Sequence, residues 1–468
     1  MEEKNMKRLS FMAVVLVIAL AASALEAGPK KVTLPSYEHY TLENGLEVCV
    51  METSELPLVT MRLLIPVGSA HDISGREGIA NLTARMLMKG AAGRTAEEIS
   101  ESIEDMGGTL EAEATRDYTL VTGDFMSRDL EKALGIISNV VLRPDFPGEE
   151  HEREKSIVSA EIRSAKERSY YYATRQFIWS LGGDHPYAHP VDGSEKSIAS
   201  IARQDIVDFH EENYGPAGAI LAVVGDVDAK KTMKMVKKQL GGWKGASVRS
   251  KVPKLAEKRY SGRKIIVVDK PDATQSQIRI GNIAVGRDTP YYFQLRVANT
   301  ILGGGFTSRL MKEIRVVRGL SYGARSILRQ LKEGGVFYVF TYTKNETLRE
   351  ALDVALEELE KLRTVAVDAE ELESSERYIS GLFPFQLETN SQLARWLTEL
   401  SFYGLGKEFV ENYRSDIDAV TSEEVQEVAR KYFHLDDCMI LLITNYEEVK
   451  GQLEGLGKID VVEMSALE

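Results

Sequence analysis

The stretch "DIVDFHEENYGPAGAILAVVGDVD", Asp205 to Asp228, is a polar helical pattern, an aromatic residue, a Gly-Pro turn and an apolar strand. "EEVQEVARKYFHLDDCMILLITNY", Glu423 to Tyr446, has the same grammar, and Tyr214 and Tyr432 stand 218 residues apart. The same offset carries Asn81 onto Asn299 in "LRVANTILGGG" and Cys49 onto Val267 in "KIIVVD". Three coincidences in register imply a duplicated chain. Each half mixes strands such as "LVTMRLLIPVG" and "YTLVTGDFM" with long helices such as "PGEEHEREKSIVSAEIRSAKER". The expected fold is therefore α+β, with a sheet in each half and helices packed on one face. The domains are placed at 28–243 and 263–468. Between them "GGWKGASVRSKVPKLAEKRYSGRK", Gly241 to Lys264, is rich in Lys, Arg, Gly and Ser and reads as an exposed linker, assigned to 244–262.

The 468 residues are 43% hydrophobic and 28% charged, enough for two cores, and the net charge of −13 argues against a dedicated nucleic-acid binder. Cys49 and Cys438 lie in apolar strand-like runs and are expected as buried free thiols, a single disulfide being the alternative. At the N-terminus, Lys4, Lys7 and Arg8 precede an apolar run from Phe11 to Ala22 and small residues at Ala24 and Ala27. This is a secretory signal pattern over residues 1–27, with an uncleaved anchor as the alternative. It predicts export, in a bacterium to the periplasm, and no membrane association once the signal is removed.

"GREGIANLTARMLMKG", Gly75 to Gly90, reads as an amphipathic helix with Ile79, Leu82, Met86 and Leu87 on its buried stripe. Its other face presents Asn81 and Arg85, four residues apart, with Ala84 between. That spacing is one by which helices present metal ligands or a base.

The ordered segments "NGLEVCV", "GIANLTARMLMKG", "EREKSIVSAEI", "HPYAHPVDGSEKSI", "NYGPAGAILAVVGDV" and "LGGGFTSRLMKEIRVVRGLSYGA" resemble the pitrilysin/insulinase family of zinc metallopeptidases, in the mitochondrial processing peptidase branch. The resemblance runs from about Tyr37 to Val449. It implies two homologous domains with mainly antiparallel sheets, arranged as half of a clam. The family's His-x-x-Glu-His helix uses two histidines as zinc ligands and the glutamate as base. Here those positions are Asn81, Ala84 and Arg85. The family's third ligand matches Glu161, 76 residues after Arg85, and its supporting acid matches Glu154. The resemblance thus implies a vacated zinc site with no metal in this chain. Glu161 is expected to be a buried acid that Arg85 approaches within salt-bridge distance.

The seven histidines offer no replacement site, since only His185 and His189 are close in sequence and they flank prolines in an irregular loop. In the second half, Arg318 and Tyr322 bracket a Gly-Leu turn where a helix gives way to a strand. Taken alone they read as a helix C-terminus and a packing aromatic. The resemblance implies instead that they hold a substrate carbonyl and stabilise its oxyanion, for which both are suitable donors. It also implies that Gly303, Gly304 and Gly305 border the substrate chamber. The aromatics Phe383, Phe385, Trp396, Phe402 and Tyr403 read as helix packing. The functional expectation is the non-zinc subunit of a two-chain metallopeptidase acting on unfolded or short peptides, with zinc supplied by a homologous partner. The alternative is a non-catalytic scaffold or peptide-binding protein of the same fold.

Overall fold

In the strand Glu47–Glu52 the four central residues are all buried, which requires cover on both faces. Val48 and Val50 join one hydrophobic core with Leu221 and Val223. Cys49 and Met51 face the other way and join a core with Ala222 and Val224. Both faces of this sheet are therefore sealed.

The computed structural model describes residues 32–245, 251–256 and 262–464, so the expected signal segment 1–27 lies outside the described residues. Two six-stranded sheets organise the chain. In the first, the spatial order is Tyr37–Thr41, Glu47–Glu52, Ile220–Gly225, Leu58–Ile65, Thr119–Met126 and Thr109–Ala114. In the second it is Ile459–Glu463, Lys264–Asp269, Met439–Thr444, Gln275–Ala284, Gly334–Lys344 and Ala324–Leu331. Position by position the last five strands are the same sheet twice, each with one parallel pair at the second and third strands and antiparallel pairs beyond it. The edge is filled differently. An antiparallel hairpin strand closes the first sheet, and a parallel strand from the C-terminal end closes the second.

Helices on one face account for only half of the cover. The helix Ser169–Gly182 of the first half lies on strands Gln275–Ala284 and Met439–Thr444 of the second. Tyr172, Phe177 and Leu181 are buried there with Ile266, Val268 and Leu441. Reciprocally, the helix Asn390–Tyr403 of the second half lies on strands Ile220–Gly225 and Leu58–Ile65 of the first. The two helices begin 221 residues apart, close to the repeat offset, so each half lends its equivalent helix to the other. The aromatic run of the second half is divided by this exchange. Phe402 packs edge-on against Tyr118 of the first half, Phe383 stacks on Tyr413 within the second, and Phe385 is exposed.

The two equivalent hairpin turns also meet. Asp117 accepts hydrogen bonds from the Tyr187 hydroxyl and, at 3.0 Å, from the Lys332 amide, while the Glu333 amide donates to Tyr187 Oη at 3.1 Å. The linker is less free than its composition suggests. His185 Nε2 lies 2.9 Å from the Pro253 carbonyl and the Leu255 amide donates to Glu333 O at 2.6 Å, so residues 251–256 are fastened to both halves. Cys49 and Cys438 are both free and buried. Among the described residues no helix is long and apolar enough to cross a membrane.

Candidate functional site

The helix bearing the candidate site is shorter than its sequence pattern. It spans Ile79–Met86 and is preceded by Gly78 at φ +99°, a left-handed conformation suited to glycine. Asp72 caps it, accepting from the Gly78 and Ala80 amides at 2.7 and 2.9 Å. Burial pushes the Asp72 carboxyl well above its ordinary value, against the two amide bonds. A tight Leu87–Lys89 turn of 3-10 helix follows.

Arg85 leaves this helix toward the long helix Gly148–Glu167. Its Nε donates to Glu154 at 2.8 Å, and its two terminal nitrogens reach both oxygens of Glu161 at 3.1 Å each. Lys89 adds a second cation to Glu154 at 2.9 Å. The expected Arg85–Glu161 contact is present, but Glu161 is not the buried acid of the site. Glu161 is more than half exposed; the buried acid is Glu154, with a side chain only 3% exposed. Burial by itself pushes Glu154 upward, and the hydrogen bonds from Lys89 and Arg85 overcome it, holding the carboxyl below its usual range. Lys89 was missed from sequence. Its signal was available, for it stands four residues after Arg85.

These residues do not fit a zinc ion. Asn81 and Ala84 offer neither imidazole nor carboxylate, and both remaining acids are engaged by cations. Among the described residues no cluster of three or more His, Cys, Asp or Glu is placed to hold a metal. The HPY loop has structural employment: His185 bonds the linker, and His189 sits 3.7 Å from the capping Asp72.

Arg318 and Tyr322 follow the wide-turn helical segment Met311–Val317 and precede the strand Ala324–Leu331. Tyr322 is 83% exposed, so packing does not explain it. Arg318 is also exposed and forms an ion pair with Glu350 at 3.4 Å. Such a surface pair is weak and readily exchanged. The glycines behave individually. Gly303 is buried, and a Cβ there would meet the Ser326 amide nitrogen at 2.2 Å, so close packing on the edge strand demands it. Gly304 is exposed and Gly305 buried.

Residues 48–177 match the family model described as insulinase (peptidase family M16), and residues 200–377 match that described as peptidase M16 inactive domain. The chain belongs to the M16 peptidase family. Among M16 relatives, an uncharacterized zinc protease of Mycobacterium leprae is 27% identical over 394 residues, covering 84% of this chain and 88% of its own. One from Bacillus subtilis is 24% identical over 408 residues, covering 86% and 98%. A Pseudomonas fluorescens structure described as a peptidase M16 inactive domain superposes with a TM-score of 0.82 at 26% identity, covering 87% of this chain and 98% of that one. The first half of the periplasmic protease PqqL from Escherichia coli shares the M16 fold, with a TM-score of 0.72 at 17% identity over 90% and 95% of the two chains.

Proposed function

We propose that this chain is the substrate-binding and transition-state-stabilising subunit of a two-chain M16 metallopeptidase, its zinc supplied by a homologous partner. The observation that carries the reading is an asymmetry between the halves. In the first, Arg85 and Lys89 neutralise the acids at the position where family members hold zinc. In the second, the exposed Tyr322 and Arg318 are left available to a ligand.

In this reading residues 28–243 form the first domain and 263–468 the second. Arg318 donates to a peptide carbonyl in the ground state, and the Tyr322 hydroxyl joins it as negative charge develops on that oxygen. Gly304 and Gly305 border the extended peptide. The periplasmic name of the PqqL neighbour and the N-terminal signal pattern together support export.

A scaffold role has one observation in its favour: the Arg318–Glu350 pair gives Arg318 a partner without substrate. Co-purification with an exported homologue bearing His-x-x-Glu-His, followed by a peptide cleavage assay, separates the two. Cleavage by the mixture and by neither chain alone is expected. A stable complex whose activity equals that of the partner by itself would support the scaffold.

A further inference from the structure

Past Glu161 the helix Gly148–Glu167 runs on to a concavity of about 330 Å³ between the two halves. The first half contributes Arg116, Tyr171 and Ile178 to its lining, and the second contributes Arg329 and Tyr338. Its charge is unbalanced. Arg116 donates through Nε to the Tyr187 carbonyl at 3.1 Å, and neither it nor Arg329 has a carboxylate within salt-bridge distance among the described residues. Asp192 also lines the cavity and pairs with Arg175 at 2.8 Å, and Asp117, held by the Tyr187 hydroxyl and the Lys332 amide, acts with it on Arg116 from nearby. Burial first, and then the like charge of Arg329, hold the Arg116 guanidinium down at about 10.

A separate observation points the same way. Arg279 is completely buried, and its three hydrogen bonds go to the Thr174 hydroxyl, the Tyr170 carbonyl and the Ile278 carbonyl, at 3.0, 2.8 and 2.9 Å. All three acceptors are neutral. A buried guanidinium without a counter-charge is costly, and Tyr170 and Thr174 also line the cavity, so this charge sits directly behind its wall. The cavity therefore combines aromatic walls with a net positive lining, in which Arg116, Arg175 and Arg329 face the single acid Asp192.

We propose that this cavity receives the terminal carboxylate of a peptide between Arg116 and Arg329, with the last side chain against Tyr171 and Ile178. A planar carboxylate matches the guanidinium fork, and the aromatic walls suit an apolar terminal residue. The proposal rests on the peptide-substrate reading above and specifies its substrate class: peptides anchored by a free C-terminus.

The test measures binding to the purified full chain without any partner, by calorimetry. The probes are alanyl-alanyl-phenylalanine as the free acid, the same tripeptide as its amide, and inorganic phosphate. The acid is expected to bind, with the amide roughly tenfold or more weaker, as befits loss of a charged hydrogen bond. Arg329→Gln, an exposed change on an edge strand, is expected to weaken the acid by about tenfold and leave the amide unchanged. Equal binding of acid and amide, absence of acid binding, or indifference to Arg329→Gln would each overturn the proposal. Phosphate binding as tightly as the acid would assign the site to inorganic anions and overturn it as well. Because no turnover is read, failure of the trans-catalytic mechanism leaves this outcome intact.

Discussion

At the residue scale, Arg85 and Lys89 build an ion-pair network with Glu154 as its hub and Glu161 at its edge. Glu154→Gln keeps the shape and removes the charge that Arg85 and Lys89 share, so it is expected to cost ~2 kcal/mol at neutral pH. The folded carboxyl titrates below its ordinary 4.5. Its contribution is therefore present above that value and lost as the pH falls through the folded value. Thermal unfolding across pH 3 to 7 is expected to show wild type and variant converging in acid. A gap that persists at the lowest pH would contradict the assignment. The converse change, Asn81→His with Arg85→His, restores two imidazoles beside Glu161 and is expected to bind one equivalent of zinc by elemental analysis, where wild type binds none. The spacing of Asn81 and Arg85 was legible in sequence because one helix fixes it, whereas Glu161, on another helix, was placed beside them only by the family resemblance. The exposure of Glu161 was not legible, since periodicity in a charged helix does not say which acid meets solvent.

At the element scale, the glycine-rich segment shows how one motif serves two demands. A side chain at Gly303 would press on the backbone of the strand Ala324–Leu331 at 2.2 Å, whereas at Gly304 it would meet the Asn299 side-chain amide at 3.0 Å and its backbone carbonyl oxygen at 3.2 Å, a far milder crowding. Gly303→Ala is expected to destabilise the protein by about 1–3 kcal/mol, and Gly304→Ala by clearly less, in denaturant titrations. Equal effects would show that the edge strand yields freely. The duplication was readable from the 218-residue offset, because buried strands write apolar runs into the sequence, while the order of the strands within each sheet was not. The exchange of the helices Ser169–Gly182 and Asn390–Tyr403 was not. An amphipathic stripe records that a helix is covered, and is silent on which sheet covers it.

At the scale of the whole molecule, that exchange makes the halves interdependent. Each sheet has one face sealed by a helix from the other half, and the hairpin turns are joined through Asp117 and Tyr187. A single cooperative unfolding transition is expected in calorimetry. Cys49 is a built-in reporter, since it belongs to the core that the helix Asn390–Tyr403 covers. Burial pushes its thiol up to about 12, and that of Cys438 likewise. Neither is expected to react with a disulfide reagent at pH 8 until the chain unfolds. Early reaction of Cys49 alone would show that the halves part first. In the proposed function this interlocked two-half unit is the wall that presents Arg318 and Tyr322 to a substrate held by a second chain. The sharpest measurement of that claim is kcat for the reconstituted pair carrying Tyr322→Phe, with assembly verified by gel filtration. The change removes one hydroxyl from an exposed ring, and a lost oxyanion donor predicts a fall of ~10²–10³ in kcat with the complex intact. An assembled variant that cleaves peptide at the wild-type rate would contradict the account.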